Sequence, residues 1–320
     1  MKSENRNNYD KTRKVTEVYY DSTDADNFYF NIWGGEDIHV GLYEGTQDIS
    51  KASRCTVAHM AKTIPNLNEN TRIIDLGAGY GGAARYLANN FGCKVVCLNL
   101  SDVQNKTNRR LNLEQKLDHL VRVIHGSFEN IPEPNEKFDA VWSQDAILHS
   151  SNREQVIAEA WRVLKPGGVM VYTDPMQADN CPKSVLQPVY DRIHLESLGS
   201  FAFYRRAAEK CGFSEFHKED MTQNLNIHYA RVLEELERNY ESISKVSSKD
   251  YLNRMIVGLK NWIDAANTGY LAWGVIRLSK PEWPAPHPTM NSYRIGPLLY
   301  AIKKEMNFLT GVQHSEDRNT

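Results

Sequence analysis

Nowhere in the 320 residues do about 18 apolar residues run together, so the sequence predicts no membrane-spanning helix. Residues 1–15 are polar and charged and lack the apolar stretch of a secretory leader. The five cysteines, Cys55, Cys93, Cys97, Cys181 and Cys211, show no CxxC spacing, and their odd number argues against a disulfide framework. A reducing, cytoplasmic setting is the expectation. No cluster of Cys, His and carboxylates has metal-ligand spacing, so no metal is expected either. Charge of one sign is also lacking: 38 Lys and Arg stand against 40 Asp and Glu. A net charge of -2 gives no field that would hold nucleic acid or an acidic membrane surface, so a small molecule in a local pocket is expected. What is present, 41% apolar and 24% charged residues without internal repeats, is an ordinary globular composition sufficient for one large or two small domains.

Short β-branched runs alternate with segments of helical period, the pattern of an α/β domain with a mostly parallel sheet. Strands are predicted over residues 71–76, 94–100, 120–125, 138–142 and 168–174, with helices over 81–91, 102–116 and 152–164. Lys165-Pro166-Gly167-Gly168 reads as a helix stop and turn. Beyond it, 201–211 reads as a helix, 213–220 as a strand, 227–265 as one or two long helices and 270–278 as a final strand. Two flanks differ from this middle. Residues 1–70 are rich in aromatics, and 281–320 open with Pro281, Pro284, Pro286 and Pro288, which excludes helix or central strand and predicts a weakly ordered tail.

The run Ile73-Ile74-Asp75-Leu76-Gly77-Ala78-Gly79-Tyr80-Gly81-Gly82 puts a buried strand, a glycine turn and a helix start in direct succession. Without side chains at Gly77 and Gly79, a ligand can touch the backbone and reach the amides of the next helix. Gly77, Gly79 and Gly82 also satisfy GxGxxG, which makes a nicotinamide dinucleotide a rival ligand. Against that rival, the turn lies some 70 residues into the chain. The second strand also ends in Asn99, where a dinucleotide site wants an acid for the ribose.

Asp75-Leu76-Gly77-Ala78-Gly79-Tyr80-Gly81 resembles the first motif of the class I S-adenosylmethionine (AdoMet) dependent methyltransferases. Leu164-Lys165-Pro166-Gly167-Gly168, about 90 residues on, resembles a later one. The resemblance implies a Rossmann-like α/β fold: a seven-stranded, mostly parallel sheet with an antiparallel last strand and helices on both faces. It further implies that Asp75, Gly77 and Gly79 face the methionine portion, Asn99 and Leu100 the ribose and adenine, and Ser127 and Phe128 the adenine. Gln104, Gln144 and Ile38 join this cofactor set. Asn99 departs from the acid more common in the family, although its amide can still bond both ribose hydroxyls.

Phe138-Asp139-Ala140-Val141-Trp142-Ser143-Gln144-Asp145-Ala146-Ile147-Leu148-His149 resembles the post-strand segment of small-molecule amine N-methyltransferases. If the residues after the strand turn helical, Asp145 and His149 are four apart and share a face, at the strand end where open α/β sheets bind ligands. From Tyr19 to Tyr43, seven of 25 residues are aromatic against 10% overall, and Gly34 and Gly35 interrupt any helical stripe. Aromatic faces attract cations by ~0.5–2 kcal/mol each, which suits a sulfonium and an ammonium.

Tyr19-Tyr20-Asp21 and Asn31-Ile32-Trp33-Gly34-Gly35-Glu36-Asp37-Ile38-His39-Val40-Gly41 resemble the branch that methylates glycine derivatives to betaine. That resemblance implies His149 as proton acceptor with Tyr20 as its partner, Asp145 as the group orienting the ammonium, and substrate contacts from Tyr19, Trp33, His39 and Tyr204. Arg192, Arg205 and Arg206 are candidates for the substrate carboxylate. Residues 1–70 would form a helical lid and 71–280 the AdoMet domain, in a monomer or homodimer. The rival within the family, phosphoethanolamine methylation, would need basic and tyrosine side chains around a phosphate. Between 174 and 200 only Lys183, Arg192 and Tyr190 offer them.

Overall fold

The computed structural model describes residues 21–282, apart from 183, 194 and 196 and the side chains of 192 and 193. All but the start of the expected tail, and Tyr19 and Tyr20, lie outside the described residues.

The expected alternation is present. β1 (Arg72–Leu76) leads to α3 (Gly82–Phe91), β2 (Lys94–Asn99), α4 (Asp102–Glu114), β3 (Val121–His125) and β4 (Phe138–Gln144). These are followed by α5 (Arg153–Val163) and β5 (Leu164–Thr173). The short β6 (Met176–Gln177) precedes α6 (Gln187–Ile193), α7 (Phe201–Cys211) and β7 (Glu215–Asp220). The chain ends its described part with α8 (Gln223–Arg238), α9 (Tyr240–Ile243), α10 (Lys249–Asn267), β8 (Leu271–Ala272) and β9 (Gly274–Ser279). Among the described residues, α1 (Thr23–Phe28), continued by a π-helical turn Tyr29–Trp33, and α2 (Ile49–Ala61) precede the sheet.

Strand order is β3-β2-β1-β4-β5-β9-β7. β9 runs antiparallel to both β5 and β7, so it alone opposes the other six. β1 has β2 on one side and β4 on the other, both parallel. The order therefore reverses beside β1, and the crevice above its carboxyl end is where a doubly wound sheet takes a ligand. Ile73, Ile74 and Leu76 are fully buried, as a strand covered on both faces requires.

One expectation needs correcting. β5 begins at Leu164, which pairs with Phe138, and the register slips before Ala140 meets Val169. Lys165-Pro166-Gly167-Gly168 is thus an irregularity inside a strand, with Gly167 at φ +77°, and not a free turn. The stretch 227–265 does hold two long helices, α8 and α10, with the four-residue α9 between them.

The N-terminal aromatics join these late helices. Phe28, Tyr29 and Trp33 are buried in one apolar cluster with Tyr229, Tyr251 and Trp262 of α8 and α10. Tyr229 stacks on Trp262 at 4.8 Å, and Trp33 meets Tyr229 edge-on at 5.5 Å. A cap assembled from both ends of the described chain covers its own core, which explains why aromatics concentrate there.

Candidate active site

At the end of β1 the backbone turns through Gly77 and Gly79, at φ +75° and +52°, where L side chains are strained. A Cβ on Gly77 would stand 2.4 Å from Ala146 Cβ and 3.7 Å from the Phe128 ring; one on Gly79 would touch Ile38 at 3.5 Å. The turn is fixed to β2 by the Gly77 and Ala78 amides, which donate to the Leu98 carbonyl at 2.8 and 3.3 Å. Asn99 donates its side-chain amide to Gln104 Oε1 at 3.0 Å, and Gln104 is held by its own N–H on the α4 cap, Ser101. Phe128 thus lies against Gly77, and Ile38 and Gln104 against Gly79. Leu100 is half-buried between β2 and α4, and the Ser127 hydroxyl accepts the Glu129 amide at 3.2 Å.

Beside the turn lies a cavity of about 30 Å³ walled by Asp37, His39, Asp75, Gly79 and Gln144 among others. Three of these residues carry buried polar atoms without a close hydrogen bond: Gln144 Nε2, and Asp37 Oδ1 and His39 Nε2, which face each other at 3.8 Å. Native interiors rarely leave such atoms unpaired. An amide donor and a carboxylate acceptor next to side-chain-free backbone fit the amino-acid end of AdoMet. The cavity itself has room for about one water. Asp75 is 3% exposed, and burial lifts its carboxyl to about 7, with His39 opposing and Asp37 adding.

Residues 36–41 form a strap over the turn. Glu36 binds Arg85 of α3 at 2.8 Å, and Asp37 binds Arg54 of α2 at 2.7 Å. Val40 N–H donates to Asp145 Oδ2 at 2.7 Å, and Gly41 N–H to His228 Nδ1 at 3.1 Å. Tyr43 OH also lies 3.0 Å from His228 Nδ1, whose ring burial pushes down to about 3, so the imidazole is neutral.

Asp145 is not on a helix. It follows β4 in the left-handed region at φ +48°, which Asp tolerates better than most residues. Its other oxygen accepts Trp273 Nε1–H at 2.8 Å, and burial raises its carboxyl. His149 ends a three-residue 3-10 turn, Ile147–His149, so the two side chains are not related by a helical step. Both still lie just beyond β4, with Asp145 joining the strap to the last strand region.

The remaining substrate residues divide. His39 lines the cavity. Trp33 is 5% exposed inside the aromatic cap, 5.3 Å from the His228 ring, with its indole N–H unpartnered. Tyr204 is wholly buried and donates to Asp174 Oδ2 at 2.5 Å, so its hydroxyl is spent inside the protein. Arg205 lies exposed over Phe216 at 4.4 Å, and Arg206 is exposed on the same helix; neither is placed at the strand ends. The side chain of Arg192, like Tyr19 and Tyr20, is outside the described residues.

Sequence reasoning missed Asp174, Trp273 and His228. Only Asp174 carries a local signal, an acid directly after a predicted central strand.

A family described as the methyltransferase domain matches residues 74–172. The chain is 51% identical over 273 residues to a sarcosine/dimethylglycine N-methyltransferase of Aphanothece halophytica, covering 85% of this chain and 99% of that one. It is 48% identical to the enzyme of the same name from Halorhodospira halochloris, covering 85% and 98%. Among solved structures, a candidate sarcosine dimethylglycine methyltransferase from Galdieria sulphuraria superposes with a TM-score of 0.78 at 41% identity, covering 83% and 100%. With the glycine turn at the switch point of the sheet and likeness along nearly the whole of these relatives, the chain belongs to the sarcosine/dimethylglycine N-methyltransferase family of AdoMet-dependent methyltransferases.

Proposed function

We propose that this enzyme methylates the nitrogen of sarcosine and dimethylglycine to give betaine, without a metal. One observation carries the reading. Asp75 and Asp145 are carboxylates raised by burial at the strand ends, and neither has a Lys or Arg ion partner among the described residues. Buried carboxylates without cations are costly, and a cationic ligand removes that cost. A sulfonium and an ammonium both qualify; a phosphate dianion would add to the repulsion. Tyr190, one of the few groups available for a phosphate, has its hydroxyl on Gln177 at 3.0 Å. The names of the relatives support the same substrate class.

AdoMet supplies the activated methyl group when bound. The chain's own task is placement, and alignment of nitrogen, methyl and sulfur is the main source of rate. Asp145, fixed by the Val40 and Trp273 N–H groups, presents a fixed negative charge that orients the substrate ammonium. His149 takes the proton that the amine must lose before it attacks. The family resemblance gives Tyr20 as its partner, a residue outside the described part of the chain. His39, on the cavity wall, faces the amine from the cap side, and Trp33 supports the cap from within its aromatic core. Each added N-methyl is worth about 1 kcal/mol of apolar contact, so preference over glycine reaches about tenfold per methyl at most.

Metal independence is tested directly by chelation. The test is a panel of glycine, sarcosine, dimethylglycine and phosphoethanolamine at saturating AdoMet, with products resolved by mass and chelator present. Sarcosine and dimethylglycine should dominate. Dominance of phosphoethanolamine, or glycine above both methylated forms, would overturn the substrate assignment; loss of activity in chelator would overturn metal independence.

A further inference from the structure

We propose that Asp174 and Tyr204 are a positioning pair for His149, acting through the peptide units of Leu148. This rests on the reading of His149 as proton acceptor and reassigns Tyr204 from substrate contact to support.

The geometry is specific to that turn. Asp174 follows β5 and is wholly buried. Its Oδ1 accepts the Leu148 N–H at 2.9 Å, while its Oδ2 accepts the Tyr204 hydroxyl at 2.5 Å. On the far side, Arg153 donates to the Leu148 carbonyl at 2.7 Å and to the Ser197 carbonyl at 2.6 Å. The residue before His149 is therefore pinned at both its N–H and its C=O. The turn itself contributes little, since a 3-10 segment of three residues has poor intrinsic geometry and few bonds of its own. Tyr204 has been given room for this contact: a Cβ on Gly199 would stand 2.6 Å from its ring and 2.9 Å from its hydroxyl. The Tyr172 ring meets Tyr204 edge-on at 5.3 Å and fixes its direction.

Both Asp174 oxygens act as acceptors here. Removing the Tyr204 hydroxyl withdraws one of two bonds from a buried carboxylate and lets Asp174 move away from the Leu148 amide. A displacement of about 1 Å at a reacting group can cost ~10²-fold in rate, so even partial slackening is measurable.

The experiment is a double-mutant cycle of Tyr204→Phe and His149→Ala, measuring kcat and KM for dimethylglycine, AdoMet affinity by titration and thermal unfolding for each protein. Tyr204→Phe alone should lower kcat by roughly tenfold or more with AdoMet affinity within about twofold. In the His149→Ala background the same change should cost less than about twofold, because the group it positions is gone. Asp174→Asn, which keeps the shape, should reproduce this pattern and decides the matter if Tyr204→Phe does not fold. An equal loss in both backgrounds, no loss, or an effect confined to KM overturns the proposal while His149→Ala remains impaired. A His149→Ala enzyme with kcat near that of the parent overturns the proton-acceptor reading itself, and the positioning pair with it.

Discussion

The glycine turn and the strap above it are held in opposite ways. The turn, from Asp75 to Gly82, is eight consecutive residues whose shape follows from positive φ at Gly77, Gly79 and Gly81 and two amides on Leu98. The strap's six residues have little structure of their own. They are held by Arg85 of α3, Arg54 and the Ser53 and Thr56 hydroxyls of α2, Asp145 beyond β4 and His228 of α8. A local device fails through strain at one residue, whereas a distributed one weakens by one bond at a time.

The sharpest way to break the turn is Gly77→Ala. The added Cβ would overlap Ala146 and impose a side chain on φ +75°, a strain of about 1–3 kcal/mol before any relaxation. AdoMet affinity should fall roughly 10–100-fold in a binding titration. Unchanged affinity would mean that the turn does not approach the cofactor.

The strap should yield less. Asp145→Ala leaves the Val40 and Trp273 N–H groups without their acceptor, which costs about 1–3 kcal/mol of stability in urea unfolding. Turnover should drop by at least about tenfold with AdoMet affinity within a few-fold. Loss of AdoMet binding as the main effect would show that the strap serves the cofactor before the substrate.

The same contrast explains what could be read from the chain. The turn, the alternating strands and the carboxyl-end location of Asp75, Gln144 and Asp145 were legible because each depends on neighbours in sequence. Asp145 and His149 were rightly placed beyond β4, but the helix assumed to join them was not there, since nothing local announces an Asp at φ +48°. Trp273 meets Asp145 from 128 residues away, and His228 meets Gly41 of the strap from 187. No periodicity carries such a pairing. Aromatic enrichment near the N-terminus was visible, yet its meaning as core was decided by α8 and α10, which supply the facing rings.

A third prediction uses pH. Burial lifts Asp75 from 3.8 to about 7 in the folded protein, so the folded state binds the proton that the unfolded state has released between those values. Stability from this group therefore falls as pH rises from about 4 to about 7 and stays reduced above. Asp75→Asn removes that penalty: unfolding midpoints without cofactor should match the parent near pH 4 and exceed it at pH 8. Asp174, also lifted to about 7 by burial, keeps part of the slope in the variant. A midpoint difference independent of pH would show that Asp75 is ionised throughout.

The smallest expected effect is the most discriminating for the substrate side. Three arginines after β5 were candidates for the substrate carboxylate, and two of them now have other positions. Arg205 stacks on Phe216 at the surface, and Arg206 is exposed beside it on α7. The side of α7 turned inward is represented by Tyr204, whose hydroxyl belongs to Asp174. An exposed cation–π contact is worth about 0.5–1 kcal/mol, so Arg205→Ala should cost a little stability. KM for dimethylglycine should stay within about twofold for Arg205→Ala and Arg206→Ala alike. A tenfold rise in KM for either would mean that α7 rotates its outer face into the site during turnover. In that case the substrate half would be built from moving parts, and a fixed strap would no longer describe it.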